Sequence, residues 1–208
     1  MGSTRRARQL STETIHTVGH SNHPIEIFTG LLIDNGITAV ADVRSQPFSR
    51  RCPQFNKERL AAKLALHEIS YVFLGQELGA RSNDESCYEN GKVQYQRLAA
   101  TPLFKQGIDR VLAGAKKFRV ALMCAEKEPL DCHRTLLVSR ALEKRGAVIA
   151  HILADGSIEN QPQTMTRLIN MVGLGRHGLG GHDMFTDAGA LADEACRLRE
   201  SKIAYVKP

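Results

Sequence analysis

The sequence feature that most constrains the fold is a short apolar run that ends abruptly in polar residues. Residues 120–123 (VALM) are uniformly apolar, which is typical of a strand in the centre of a parallel sheet. Cys124, Ala125 and Glu126 follow at once, and Asp131 then supplies a carboxylate that can cap a helix. Apolar residues recur at helical spacing from there to a stop at Gly146. The stretch therefore predicts a strand, a polar loop and a helix, with a site in the loop.

Three chemically active residues, Cys132, His133 and Arg134, fall in the first turn of this predicted helix. Unpaired backbone N–H groups and the helix dipole favour an anion there, and the Arg134 guanidinium would add a fixed positive charge. The same field would lower the pKa of the Cys132 thiol, and a thiolate can act as a nucleophile, a redox centre or a metal ligand. The structural alternative is that Cys124 and Cys132 are core residues beside a solvated helix start. The concentration of these residue types at one strand-to-helix junction favours a functional site.

Composition restricts the class of protein and of ligand. A chain of 208 residues with 42% hydrophobic content can bury a substantial core. The basic residues exceed the acidic ones by 28 to 22, and the formal charge of +6 favours anionic partners, either phosphate-bearing small molecules or nucleic acid. Five cysteines at irregular spacing favour a reducing compartment over a disulfide framework. Because no apolar run approaches a membrane span or a signal peptide, we expect a cytoplasmic protein without a membrane partner.

The order of elements predicts an α/β fold. Strand patterns alternate with helical patterns along the chain, which predicts a mainly parallel open sheet of about five strands, right-handed crossovers and helices on both faces. Residues 1–13 are interpreted as a basic disordered tail, 14–156 as the α/β domain that carries the site, and 157–208 as a helical and glycine-rich extension. The long stretch 75–91 is predicted to be a lid or binding loop. The predicted strands cover residues 14–19, 37–43, 71–74, 120–123 and 147–153.

Polar residues follow the predicted strands at the point where each one ends. In an open parallel sheet the ligand lies beyond the carboxyl ends of the strands, so these residues are expected to meet. In the predicted site Cys124, Glu126, Cys132 and His133 are catalytic: His133 or Glu126 moves protons, and a cysteine is the nucleophile or redox group. Seven residues are predicted to bind the substrate, with the arginines holding its anion: His20, Ser21, Asp42, Arg44, Ser49, Arg50 and Arg134.

Most of these polar residues lie in a set of short blocks along the chain: 17–21 (TVGHS), 42–44 (DVR) with Pro47, Ser49 and Arg50, 71–74 (YVFL) with Leu78 and Gly79, 123–126 (MCAE), 132–134 (CHR) and 151–152 (HI). Together these blocks resemble the family catalogued as "domain of unknown function 488". The resemblance covers about residues 14–155 and implies a compact α/β domain whose biochemical activity is largely unassigned. It does not cover the extension beyond 156, and Ala80 stands where the family often has glycine.

Three functions remain open at the level of sequence. The first is an enzyme, a hydrolase or transferase, that binds a phosphate-bearing substrate such as a nucleotide or nucleic acid in this basic crevice. A tyrosine-phosphatase or rhodanese loop is disfavoured because Leu130 and Val138 stand where its arginine would follow Cys124 or Cys132. The second is a noncatalytic nucleic-acid-binding module. The third is a zinc or iron protein with ligands drawn from the same cysteines and from His20, His23 and His133. The sequence identifies neither the cofactor nor the oligomeric state.

Overall fold

The computed structural model describes residues 13–175 and 188–208 and shows a six-stranded sheet in the order β3-β2-β6-β1-β7-β8. Five of the strands are parallel, and β8 pairs antiparallel with β7 at one edge. The predicted α/β fold with a mainly parallel sheet is confirmed, and β8 adds one strand. The strands are β1 (Thr14–Gly19), β2 (Ala39–Asp42), β3 (Ser70–Phe73), β4 (Tyr88–Glu89), β5 (Lys92–Val93), β6 (Val120–Cys124), β7 (Val148–Ile152) and β8 (Ile158–Asn160), of which β4 and β5 form a separate hairpin.

Helices cover both faces of the sheet, as predicted. Short 3-10 helices at Pro53–Phe55, Glu85–Cys87 and Pro129–Asp131 lie in the loops, and a π-helix at Arg134–Ser139 follows the loop after β6. The predicted insertion 75–91 contains one α-helix, one of the 3-10 helices and the first strand of the hairpin. The α-helices are α1 (Ile25–Asp34), α2 (Lys57–Ala65), α3 (Gly75–Leu78), α4 (Tyr95–Ala100), α5 (Pro102–Ala115), α6 (Arg140–Glu143), α7 (Gln161–Met171) and α8 (Ala188–Ile203).

Strand β6 is fully buried because it lies in the interior of the sheet with helices on both sides. Its side chains alternate between two hydrophobic clusters. Ala121 and Met123 pack in the cluster that contains α1 and α2, whereas Leu122 and Cys124 belong to the cluster that contains α5, α6 and α8. This double burial explains why the strand reads as a continuous apolar run.

The residues after 156 continue the same fold. Beyond β8, α7 begins at a capping box formed by Asn160 and Gln163, and its Leu168 packs in the same cluster as Ala195 of α8. Residues 1–12 and most of the glycine-rich stretch 173–181 lie outside the described residues. Among the helices that can be placed, none combines the length and the apolar composition needed to cross a membrane.

The helix after β6 begins differently from the prediction. Asp131 does not cap it, because Asp131 lies in the preceding 3-10 helix and its carboxylate accepts a hydrogen bond from Arg199. Cys132 is extended, with φ −135° and ψ 138°, and the π-helix starts two residues later with His133 at its N-cap. Cys132 therefore precedes the first helical turn, and its sulfur accepts a hydrogen bond from the backbone N–H of Arg134 in that turn.

Candidate functional site

The sheet topology brings the ends of β1, β2 and β6 together. Gly19 of β1 lies opposite Cys124 of β6, and Asp42 of β2 lies opposite Met123. Although β1 and β6 are neighbours, the chain leaves β1 towards β2 and leaves β6 towards β7, so the two crossovers run in opposite directions. Such a point in an α/β sheet is the usual place for a ligand site.

Cys124, Cys132 and His133 form a compact group, which we call the thiol–imidazole cluster. The Nδ1 atom of His133 lies 3.7 Å from Sγ of Cys124 and 3.9 Å from Sγ of Cys132. The three possible ligand atoms all lie within 4.8 Å of one another, and all three residues are buried. Within the described residues, both cysteines are free thiols. The predicted meeting of these residues is thus a feature of the structure.

The orientation of the His133 ring is determined by a backbone carbonyl. Its Nε2 atom lies 3.0 Å from the carbonyl oxygen of Val43, the residue after β2. Because a carbonyl oxygen can only accept, Nε2 carries a proton and donates it. In the neutral ring the lone pair is then on Nδ1, which faces the two sulfurs.

Two further contacts orient the Cys132 sulfur. The thiol donates to Oε2 of Glu126 across 3.0 Å, and the backbone N–H of Arg134 donates to the sulfur across 3.4 Å. Glu126 is exposed as a whole residue, but its carboxylate reaches inward to the buried sulfur of Cys132. Glu126 lies outside the group of mutually close ligand atoms. Its carboxylate is therefore placed beside the cluster and not within it.

The electrostatic environment shifts the pKa values of the two thiols in opposite directions. Burial raises the pKa of the Cys124 thiol well above its usual value, and the adjacent Cys132 adds to this. Burial also opposes ionisation of Cys132, but the hydrogen bond with Cys124, the Arg134 charge and the His133 ring together hold the Cys132 pKa well below its usual value. Burial raises the pKa of the Glu126 carboxyl, and the Cys132 sulfur raises it further. Cys132 is the more readily ionised sulfur.

Arg134 has partners within the chain. Its side chain is completely buried, its Nη1 donates to the carbonyl oxygen of Glu126 across 2.7 Å, and its Nη2 donates to that of Lys127 across 3.3 Å. Its Nε atom is buried and has no hydrogen-bond partner among the residues that the structure describes. A phosphate held directly by Arg134 remains a prediction, whereas the structure shows Arg134 organising the loop after β6. The π-helix that begins at Arg134 belongs to a rare class that occurs frequently at functional sites.

A second group of predicted residues lies on the opposite face of the sheet, with the α1 and α2 cluster. Asp42 accepts hydrogen bonds from the Nε and Nη2 of Arg44 at 2.9 Å and 2.6 Å, and from the hydroxyl of Tyr71 at 2.7 Å. Arg44 also donates to Nε2 of His20 across 3.1 Å, and the His20 ring stacks on Phe55. Burial, followed by the Arg44 charge, lowers the pKa of His20 to about 4. Asp42, Arg44, Tyr71 and His20, which we call the Asp42 network, are thus hydrogen-bonded to one another.

Three other predicted substrate-binding residues lie in the loops around these groups. Ser21 has a left-handed backbone, with φ 49°, and its N–H donates to the carbonyl oxygen of Ala125. The Ser49 hydroxyl accepts from the backbone N–H groups of Arg51 and Cys52 and so shapes a turn. Arg50 is exposed. Their roles towards a substrate remain predictions.

Sequence reasoning missed Tyr71, Phe55 and the Val43 carbonyl as partners of the site residues. The pattern predicts Tyr71 only as the first residue of a strand and gives no sign of its contact with Asp42. The predicted binding loop 75–91 contributes Arg81 and Tyr88 to an open groove that Tyr205 also lines. The groove contains none of the thiol–imidazole cluster.

Comparison with known proteins identifies a family without an assigned activity. Neither the curated proteins nor the solved structures contain a match to this chain. Residues 24–141 match a family model, and this range includes Asp42, Arg44 and the whole thiol–imidazole cluster, while His20 and Ser21 precede it. Because the match spans more than half of the 208 residues, the chain belongs to the family described as "Domain of unknown function DUF488".

Proposed function

We propose that this protein is a zinc-dependent hydrolytic enzyme whose metal is held by Cys124, Cys132 and His133, with Glu126 as the proton-transfer group. The observation that carries the proposal is the position of His133 Nδ1, 3.7 Å and 3.9 Å from the two sulfurs, while Nε2 donates to the Val43 carbonyl. The sequence left open a hydrolase, a transferase and a metal-binding protein. The proposal combines the first and the last of these in one metal-dependent hydrolase.

The distances fit the dimensions of a zinc site. Zinc lies about 2.3 Å from thiolate sulfur and about 2.0 to 2.1 Å from imidazole nitrogen, so a tetrahedral arrangement separates sulfur and nitrogen ligands by about 3.5 Å. The sulfur–nitrogen distances of 3.7 Å and 3.9 Å require only small movements to reach this value. Cysteine and imidazole are also the ligand types that zinc prefers.

The surroundings of the cluster support the same assignment. A ligating histidine almost always donates its other ring N–H to a carbonyl or carboxylate, which is the role of the Val43 carbonyl towards His133. The hydrogen bond from the Arg134 N–H to the Cys132 sulfur stabilises negative charge there. Both contacts would hold the ligands in the orientation that a metal requires.

The number of ligands favours a catalytic site over a closed structural one. Structural zinc sites have four protein ligands, whereas catalytic sites have three and an open position. Here three ligand atoms are mutually close, and the Glu126 carboxylate stands beside them. Zinc bound in this way would lower the pKa of a coordinated water to about 7 and polarise the group under attack.

Glu126 would perform the proton transfers of hydrolysis. It would accept a proton as water adds to a carbonyl or amidine carbon, and it would return that proton to the departing nitrogen or oxygen, so that water is divided between the two products. The carboxyl pKa is raised by burial and by the Cys132 sulfur, which suits a group that must both accept and donate. Zinc deaminases use a glutamate two residues after a ligand for this purpose, and Cys124 and Glu126 have that spacing.

The first experiment is a metal analysis of the purified full-length chain by plasma mass spectrometry. We expect about one zinc per chain, and we expect its loss in Cys124→Ser, Cys132→Ser and His133→Gln. Cys196→Ser is the matched control, because Cys196 is a buried cysteine on α8 whose sulfur contacts Met165. A wild-type protein that retains no zinc after reconstitution and dialysis, or ligand variants that keep it, would contradict the proposal.

The hydrolytic role has a separate test. Zinc-loaded protein should be assayed against a panel of nucleosides, nucleobases, amides and esters with exchangeable amino or acyl groups. Glu126→Gln is expected to retain the zinc and to lose at least about a hundredfold in rate, which is typical of a missing general acid–base group. A Glu126→Gln variant that is as active as the wild type on the panel substrate would remove Glu126 from the mechanism.

A second candidate function is thiolate catalysis without a metal. It is favoured by the lowered Cys132 pKa beside His133, whose own pKa the Cys132 sulfur raises against the effect of burial, so that a thiolate–imidazolium pair can form. The two candidates differ in their response to iodoacetamide. The zinc proposal predicts that zinc protects Cys132 from alkylation, whereas thiolate catalysis predicts that metal-free protein is active and is inactivated by modification of Cys132.

A further inference from the structure

We propose that Arg134 and Gly19 form a clamp that positions the Glu126 carboxylate at the metal centre. This inference rests on the proposed function, and it assigns to both residues a role that acts through Glu126. The clamp has two sides, a guanidinium that holds the loop after β6 and a glycine against which the loop is pressed.

The loop is held through three successive carbonyl groups. The carbonyl oxygen of Ala125 accepts from the N–H of Ser21 across 2.9 Å. The next two, those of Glu126 and Lys127, accept from Arg134 across 2.7 Å and 3.3 Å. Hydrogen bonds from a charged donor are the stronger kind, and these two are shielded from water because Arg134 is completely buried. The backbone that carries Glu126 is therefore fixed on both sides of the residue.

Gly19 allows this loop to approach β1. A Cβ atom added at Gly19 would lie 1.9 Å from the carbonyl oxygen of Glu126 and 3.2 Å from Nη2 of Arg134. Backbone cannot be displaced as cheaply as the end of a side chain, so any larger residue at position 19 must move the loop. The requirement for glycine here is one of space.

Arg134 contacts the metal ligand and the Glu126 loop at the same time. Its backbone N–H donates to the sulfur of Cys132, while its guanidinium binds the carbonyls of Glu126 and Lys127. None of the ion pairs found within residues 13–175 and 188–208 includes Arg134. The buried guanidinium is instead stabilised by the two carbonyl oxygens that accept its hydrogen bonds, those of Glu126 and Lys127. One residue thus links the position of the ligand to the position of the carboxylate.

The test compares two independent ways of releasing the loop. Arg134→Gln removes the charge and the forked donor, and Gly19→Ala pushes the loop without changing any charge. Arg134→Lys keeps the charge but not the fork, so it should give an intermediate result. Glu126→Gln is the benchmark for a disturbed carboxylate. Gly30→Ala is the matched glycine control, because no atom of the described part of the chain lies within 4 Å of a Cβ added there.

The spectroscopic readout is the visible spectrum of protein loaded with Co²⁺, which replaces zinc and reports its coordination. We expect Glu126→Gln, Gly19→Ala and Arg134→Gln to bind the ion and to change its visible bands in the same direction, while Gly30→Ala matches the wild type. Unchanged bands in both Gly19→Ala and Arg134→Gln, when Glu126→Gln changes them, would overturn the clamp. Unchanged bands in Glu126→Gln would overturn it as well, since the carboxylate would then not act at the metal.

Hydrogen exchange measured by mass spectrometry separates this inference from the function on which it rests. Release of the clamp should speed exchange in peptides covering residues 20–22 by about tenfold or more, without the same change in α1, because the Ser21 N–H donates to the Ala125 carbonyl of the held loop. Exchange that stays at the wild-type rate in both Gly19→Ala and Arg134→Gln would show that the loop is not held by this pair. Failure of the wild type to bind Co²⁺ would instead contradict the proposed metal centre, and the exchange measurement would still decide whether the clamp exists.

Discussion

His133 donates from Nε2 to the carbonyl oxygen of Val43 across 3.0 Å, and this bond links the helix after β6 to the end of β2. Val43 is buried in the same hydrophobic cluster as Cys124 and Cys132, so the ring is held from the core side. An imidazole with both nitrogens engaged in this way loses little freedom when it binds a metal. Metal binding should therefore stabilise the folded chain, since an unfolded chain does not present the three ligands together.

Removal of the metal is predicted to lower thermal stability. A ligand present at 100 times its dissociation constant stabilises the native state by about 2.7 kcal/mol. For a protein of this size such a change corresponds to a shift in the melting temperature of roughly 5 to 10 °C. The measurement is a thermal unfolding scan of zinc-loaded protein with and without 1,10-phenanthroline.

The control for this scan is His133→Gln, which lacks one ligand while Cys124 and Cys132 remain. Chelator should leave its melting temperature unchanged, because there is no bound metal to remove. An equal shift in the wild type and in His133→Gln would mean that the chelator acts elsewhere in the chain, and the absence of a shift in the wild type would argue against zinc.

Loss of the charge on Asp42 is predicted to destabilise the fold strongly. Asp42 is completely buried and accepts hydrogen bonds from Arg44 and Tyr71, and Arg44 is itself buried. Asp42→Asn would leave the guanidinium without its counter-charge, and breaking a buried pair in this way costs about 3 to 5 kcal/mol of unfolding free energy. Urea denaturation of both proteins measures the difference.

Asp109→Asn provides the comparison on the surface. Asp109 pairs with Arg145, and both side chains are exposed. Removing that charge should change the unfolding free energy by about 1 kcal/mol or less, because water screens the pair. Similar losses of unfolding free energy in Asp42→Asn and Asp109→Asn would show that the Asp42 network stabilises the fold no more than a surface ion pair does.

The strands could be predicted wherever burial on both faces left a continuous apolar run. Val120 to Met123 is the best example, because each residue packs against one of the two helical layers. The edge strand β8 escaped prediction since it has only three residues, Ile158–Asn160, and Ile158 is half exposed. Such a strand is formed by its antiparallel pairing with β7 and not by its own pattern.

The thiol–imidazole cluster was accessible from sequence because its members flank a single strand-to-helix turn. The position of the Asp42 network on the other face of the sheet could not be predicted from the sequence. It depends on the register between β2 and β6, which lie far apart along the chain. Asp42 is aligned with Met123, and consecutive residues of a strand face opposite sides, so Asp42 and Cys124 diverge. The carbonyl groups that accept from Arg134 could not be predicted for a related reason. They are within reach of Arg134 because the loop after β6 packs closely against Gly19 of β1.

A third buried group, Thr17, His151 and Gln161, makes stability depend on pH. Thr17 Oγ1 and Nδ1 of His151 are 2.8 Å apart, and Nε2 of His151 lies 2.7 Å from Oε1 of Gln161. All three side chains are buried. Burial is the main cause that lowers the pKa of His151 from 6.5 to about 4, and the Arg134 and Arg167 charges lower it further. The hydrogen bond with Gln161 and the Glu159 charge have the opposite effect on this pKa.

The folded protein therefore resists protonation of His151 while the unfolded chain accepts a proton near pH 6.5. The contribution of His151 is fully present above pH 6.5, and it is lost as the pH falls towards 4, at roughly 1.4 kcal/mol per pH unit. We expect His151→Gln, which can keep hydrogen bonds to both neighbours, to show a smaller fall in unfolding free energy over this interval. His16 and His20, whose pKa values burial also lowers to about 4, contribute to the slope of both proteins and cancel in the comparison. Urea titrations at several pH values measure the difference, and parallel pH curves for the two proteins would show that His151 is not held neutral by the fold.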